Sequence, residues 1–178
     1  MNNLFAQGVA AEEAGKIGEA EAAYKALLRL EPENASAHVN LGTIYYNKKS
    51  FKLSEHHYRA AIYADNKYYL AYFDLANVLD DTDRVDEAIM AYLTALKLNP
   101  THADSHYNLA LAYEHISKPQ KALRHWRRYA TMDQAGCWRE HAIQQIRRIT
   151  KASPLLIERS NPKPRRTKRR AKLILVKH

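Results

Sequence analysis

The sequence predicts an all-α fold: a right-handed superhelical solenoid of antiparallel helix pairs, with a capping helix and a disordered basic tail. Three observations carry this expectation. Landmark residues recur every 34 positions: Tyr24, Tyr58, Tyr92 and Trp126 share one phase, Ala20, Ser54, Ala88 and Ala122 a second, and Gly8, Gly42, Ala76 and Ala110 a third. Such a fixed period is the mark of a stacked repeat array. Within each unit, positions 4, 7, 8 and 11 are spaced as one helical stripe, for example Tyr72, Leu75, Ala76 and Leu79. The composition, 46% hydrophobic and 26% charged with five Gly and six Pro, belongs to a chain with a real core and excludes collagen-like and low-complexity classes.

The units follow in order as residues 1–34, 35–68, 69–102 and 103–134, then a capping helix over 135–151 and a basic flexible tail over 152–178. A short helix pair cannot bury its apolar face alone, so each unit needs its neighbours. In every unit the small residues at positions 8 and 20 let two helix backbones approach, and the aromatic at position 24 fills the space between units. The first unit starts at the chain's first residues without an evident N-cap and carries Gln7 in its apolar stripe, so it is expected to fray. Pro32 closes its second helix, and Pro100 does the same in the third unit. In the fourth unit Trp126 and Tyr129 are larger than their counterparts, and the polar stretch Asp133 to Gly136 reads as a turn. After it, Trp138, Ala142, Ile146 and Ile149 lie on one face of an amphipathic helix, with Arg139, Arg147, Arg148 and Lys151 expected in solvent.

Leu41-Gly-Thr-Ile-Tyr45, Leu75-Ala-Asn-Val-Leu79 and Leu109-Ala-Leu-Ala-Tyr113 resemble helix A of a tetratricopeptide repeat (TPR), and residues 88–100 resemble its helix B. The resemblance implies a concave groove lined by helix A positions 2, 5, 6, 9, 12 and 13. It thereby nominates Asn40, Thr43 and Asn47 in the second unit, Phe73, Asp74, Asn77 and Asp81 in the third, and Tyr107, Asn108 and His115 in the fourth. An Asn side chain carries both a donor and an acceptor, so Asn40, Asn77 and Asn108 suit the backbone of an extended peptide. Phe73 and Tyr107 would give apolar anchorage. Replacing Asn77 and Asn108 by Ala is expected to weaken capture without loss of helicity. Chaperone-binding relatives hold a terminal carboxylate with Lys and Arg at these positions, whereas this wall offers Asp74, Asp80, Asp81, Asp104 and Glu114. A neutral or basic peptide therefore fits better than an acidic one.

No enzyme is expected. The sole Cys, Cys137, has His141 one turn on, but neither a phosphate-cradling loop nor a GxSxG or HExxH motif occurs. Carbohydrate-transferring enzymes that add GlcNAc to proteins carry similar repeats ahead of a catalytic domain, for which these residues leave no room. Histidines 102 and 106 are four apart with Asp104 between them, a spacing that invites a metal, yet His106 occupies a packing position; His38, His56 and His57 carry less signal still. Neither metal nor cofactor is expected.

Charge divides the chain: residues 1–116 hold 10 Lys and Arg against 16 Asp and Glu, residues 117–178 hold 18 against 3. Lys163, Arg165, Arg166, Lys168, Arg169, Arg170 and Lys172 place seven positive charges in ten residues. Nucleic-acid phosphates, an anionic membrane surface or the chain's own acidic groove would each satisfy them. No aromatic interleaves the run, so nucleic-acid contact would be non-specific. The apolar run Leu173 to Val176 fits a docking strand on a partner or on the solenoid's edge. One Cys and the lack of a signal peptide or spanning segment suggest a cytoplasmic protein. The leading expectation is a scaffold or adaptor that binds an extended peptide. The alternative is a nucleic-acid-associated regulator working through the tail, a reading to which a likeness of the fourth unit to repeats that accompany helix-turn-helix regulators adds slightly.

Overall fold

The structure, a computed structural model, describes residues 3–132 and 137–152, and among these the regular secondary structure is all helix, joined by short turns. The helices are α1 (Leu4–Glu13), α2 (Ile17–Leu30), α3 (Ala35–Asn47), α4 (Phe51–Ala64), α5 (Tyr69–Asp81), α6 (Val85–Leu98), α7 (Ala103–His115), α8 (Pro119–Met132) and α9 (Cys137–Ala152). They pack as consecutive pairs, each pair on the next, with α9 on α8. This is a TPR-type α-solenoid. The expected turn at residues 133–136 and the tail from 153 lie outside the described residues.

Each corner between the two helices of a unit is made by one residue in the left-handed region: Gly15 (φ 71°), Lys49 (58°), Asp83 (60°) and Ser117 (56°). The next amide then reaches back five residues, Lys16 to Ala11, Ser50 to Tyr45, Arg84 to Leu79 and Lys118 to Tyr113, at 2.8–2.9 Å. These bonds give the helix carbonyls their partners in a Schellman closure. Glycine takes this conformation freely, while the other three residues carry a cost of about 1 kcal/mol each.

Position 24 packs over position 8, as the repeat phases predict. A Cβ added to Gly8 would sit 2.4 Å from the Tyr24 ring, and one added to Gly42 would sit 2.7 Å from the Tyr58 ring. Ala76 and Ala110 fill the same place, fully buried, under Tyr92 and Trp126. Position 4 clamps the preceding turn: the side chains of His38, Tyr72 and His106 bond the carbonyls of Pro32, Asn66 and Pro100 at 2.9, 3.3 and 3.2 Å.

Three details depart from the sequence reading. The first helix is capped, since Asn3 Oδ1 accepts from the Ala6 amide at 3.1 Å. In α9, Ala142 and Ile149 are buried but Trp138 is 60% exposed; its ring turns instead toward Tyr107, centroids 5.5 Å apart. Three of the four basic residues expected in solvent have partners, Arg139 the Ala130 carbonyl, Arg147 Glu140 and Arg148 Glu114.

Candidate peptide-binding groove

The polar tips of the position-24 aromatics do not end in the core; they emerge among the helix A side chains that form the groove. Tyr24 donates to Glu12 (2.5 Å) and accepts from Asn40 Nδ2 (2.9 Å). Tyr58 meets Thr43 at 3.0 Å; since the Thr43 hydroxyl donates to the Val39 carbonyl, the Tyr58 hydroxyl donates to it. Tyr92 donates to Asn77 Oδ1 at 2.7 Å, and Asn108 Nδ2 donates to the same oxygen at 2.9 Å. Trp126 donates to Glu114 at 2.6 Å.

The expected site residues are thus half committed. Asn77 and Asn108 are bonded to each other, so Ala at both would leave the buried Tyr92 hydroxyl unpaired at about 1–3 kcal/mol; the double replacement is no longer a clean test of capture. Within the described residues Asn40 Oδ1, Asn77 Nδ2 and Asn108 Oδ1 have no hydrogen-bond partner. Phe73 lies edge-on to His102 (4.8 Å) and near Tyr92. Tyr107 is enclosed by Trp126, Tyr129, Trp138 and His141, and its hydroxyl bonds His141 Nδ1 at 2.8 Å. That places it in the joint to α9 rather than on a bare wall. Asn47 is exposed at the end of α3, Asp81 accepts from Tyr46 at 2.6 Å, and His115 lies 3.9 Å from Asp83.

Asp74 stands at the position that Asn40 and Asn108 occupy in the flanking units. Having no N–H to offer the Tyr58 hydroxyl, its carboxyl has no hydrogen-bond partner among the described residues. Burial pushes its pKa up from 3.8 to about 7. A raised carboxyl pKa means that the folded state keeps its proton longer than the unfolded chain does. The associated stability is full below pH 3.8 and is lost as pH rises through about 7. We expect Asp74→Asn, which supplies the missing donor, to raise stability by roughly 2 kcal/mol at about pH 8 and by less at about pH 5. Urea midpoints of the two proteins at both pH values check this; a constant gap would contradict it.

The histidines hold a pattern that the sequence reading missed. His38 and His57 meet Nδ1 to Nδ1 at 3.0 Å, and His106 and His125 repeat the contact at 2.9 Å, 68 residues on. In each pair the first ring is fixed by its proline carbonyl and the second stacks on a tyrosine, Tyr45 or Tyr113. Burial lowers the pKa values of His57 and His125 to about 4, keeping the pairs neutral. His38 and His106 share one phase of the repeat and His57 and His125 another, which was the available signal. The spacing that suggested a metal at His102 and His106 is used otherwise: His102 caps α7 through Ser105, and His106 bonds His125. Both ring nitrogens of His141 are taken, by Tyr107 and Gln145, so it is not free to serve Cys137 as a base. No helix among the described residues is long and apolar enough to cross a membrane. The seven basic tail residues, Lys163 to Lys172, and the apolar run Leu173 to Val176 lie outside the described residues.

Comparison with known proteins agrees with this architecture. A family model described as "Tetratricopeptide repeat" matches residues 5–69, and another described as "TPR repeat" matches residues 81–116. Human protein O-mannosyl-transferase TMTC3 is 30% identical over 97 residues, 54% of this chain but 11% of that protein. A crystal structure of MamA superposes with a TM-score of 0.75 at 23% identity, covering 87% of this chain and 83% of that one. The first TPR of Spaghetti (RPAP3) bound to HSP90 peptide SRMEEVD superposes with a TM-score of 0.62 at 22% identity, covering 64% and 93%. At these identities the structures establish the fold.

Proposed function

The chain belongs to the tetratricopeptide repeat family, generally a non-catalytic scaffold for protein–protein contact, and from that premise we propose that its helix A groove binds an extended neutral or basic segment of a partner protein. The observation that supports this most is the unspent bonding capacity along one wall: Asn40, Asn77 and Asn108 each keep one amide atom without a partner among the described residues. Such atoms serve a peptide backbone irrespective of its sequence. The charge of the wall sets the preference. Every ion pair with Lys or Arg among the described residues is made by a glutamate, so the groove aspartates Asp80, Asp81 and Asp104 stay without such neutralisation, while Asp74, its pKa raised to about 7, holds only part of a charge at neutral pH. An acidic peptide of the SRMEEVD kind would meet like charge there and none of the Lys or Arg it needs.

The test uses residues that face the groove without serving the fold. Asn47 is exposed and has no hydrogen-bond partner among the described residues, and Leu111 is 40% exposed. In the full chain, the double variant Asn47→Arg, Leu111→Arg is expected to lower capture of the protein partner at least ten-fold, about 1.4 kcal/mol, with an unchanged melting temperature. Undiminished capture removes the groove from the account.

A further inference from the structure

The C-terminal ends of α5 and α7 form one edge of the groove, and it is acidic without relief. Asp80, Asp81 and Asp83 crowd there; no Lys or Arg among the described residues pairs with them, and His115 lies 3.9 Å from Asp83. The one Tyr46 hydroxyl bond to Asp81 leaves its charge in place. Burial raises the Asp80 pKa, with smaller pushes from Asp81 and Asp83 and a partial offset by His115. At the far end of the same edge the pattern changes, because Arg148 from α9 neutralises Glu114. A shallow hollow there is lined by Glu114, Ser117, Arg148 and Ala152 together, so the described chain ends on this edge and has already begun to neutralise it.

We propose that the basic segment at residues 163–172 of this same chain docks along that edge, its Lys and Arg side chains meeting Asp80, Asp81 and Asp83. Reach permits it. Ten residues lie between Ala152 and Lys163, and such a tether spans roughly 18 Å on average and at most roughly 40 Å. Two helix spacings, α9 to α7 to α5, amount to roughly 20 Å. Charge permits it too: seven positive groups in ten residues meet a row that no other Lys or Arg among the described residues serves. A tethered segment is present at about 1 mM locally, so one with a free-peptide Kd of about 100 µM occupies its site about nine-tenths of the time. The docked tail then regulates the groove read above as a peptide site, and an incoming partner segment must displace it; in that respect the inference rests on that reading.

A synthetic peptide of residues 163–172, added in trans at low salt, tests it on three full-length proteins. The unaltered chain competes with its own tail, so a variant with Arg165, Arg166, Lys168, Arg169 and Arg170 replaced by Gln is expected to bind the peptide about ten-fold more tightly. Adding Asp80→Asn and Asp83→Asn to that variant is expected to reverse the gain; Asn tolerates the left-handed corner at position 83, so the fold is kept. Equal affinity for the first two proteins, no effect of the Asp changes, or no binding by any of the three overturns the docking. So does a tail that alters the groove only when duplex DNA is present. The capture experiment with Asn47 and Leu111 alters neither the tail nor Asp80 and Asp83, and repeating it on the chain with the five Gln replacements reads the groove with the tail's charge removed, so the two readings fail separately.

Discussion

Trp126→Ala is expected to lower the unfolding free energy by about 3–5 kcal/mol, the usual loss for a large aromatic removed from a core. The indole is fully buried, lies edge-on to Tyr107 at 4.9 Å and to His141 at 5.5 Å, and donates to Glu114. It therefore joins α7 and α8 to α9, and its loss empties the last inter-unit joint. In a solenoid, stability is a sum of unit and nearest-neighbour terms, so the damage should stay local. Amide exchange is expected to show α9 and α8 losing protection while α3 to α6 keep theirs. Uniform loss over all helices would mean that the array unfolds as one block.

Gly42→Val is expected to cost roughly 3 kcal/mol through overpacking. Its Cβ would lie 2.7 and 2.8 Å from two atoms of the Tyr58 ring. That ring cannot retreat cheaply, being 2% exposed and tied to Thr43. Gly42→Ala should cost less, because the gain in helix propensity, about 1 kcal/mol, offsets part of the clash. Combining Gly42→Val with Tyr58→Leu is expected to recover much of the loss, since residues in direct contact are not additive. Denaturant midpoints of the two single variants and the double variant decide it; strict additivity would place the strain elsewhere.

The repeat period was legible because packing imposes it: position 24 needs a small position 8, and four units repeat that need. Other positions recur in the structure with little trace in the sequence. Lys49, Asp83 and Ser117 share the left-handed corner of Gly15, but only glycine announces such a conformation. Position 4 varies between His and Tyr because its task, a bond to the carbonyl at position 32, asks for a donor at the right reach and not for one residue type. Along the candidate groove, the nominated positions were silent on commitment. Nothing in the spacing of Asn77 and Asn108 shows that one amide already bonds the other, or that α9 encloses Tyr107. Those are properties of rotamers between units, which a pattern within a unit does not carry. The paired histidines lay at the limit of legibility: His38 and His106 share a phase, as do His57 and His125, yet the third unit holds Tyr72 and Ala91 instead.

The tyrosine and tryptophan tips that cross from one helix pair to the wall of the groove tie ligand and shape together. The Asn77 oxygen that steadies Tyr92 belongs to the same amide that a bound peptide would seek, so grip on the ligand and tension between coils draw on one set of bonds. Under the proposed binding, an occupant of the groove would therefore bear directly on the joint between the third and fourth units, which these amides share.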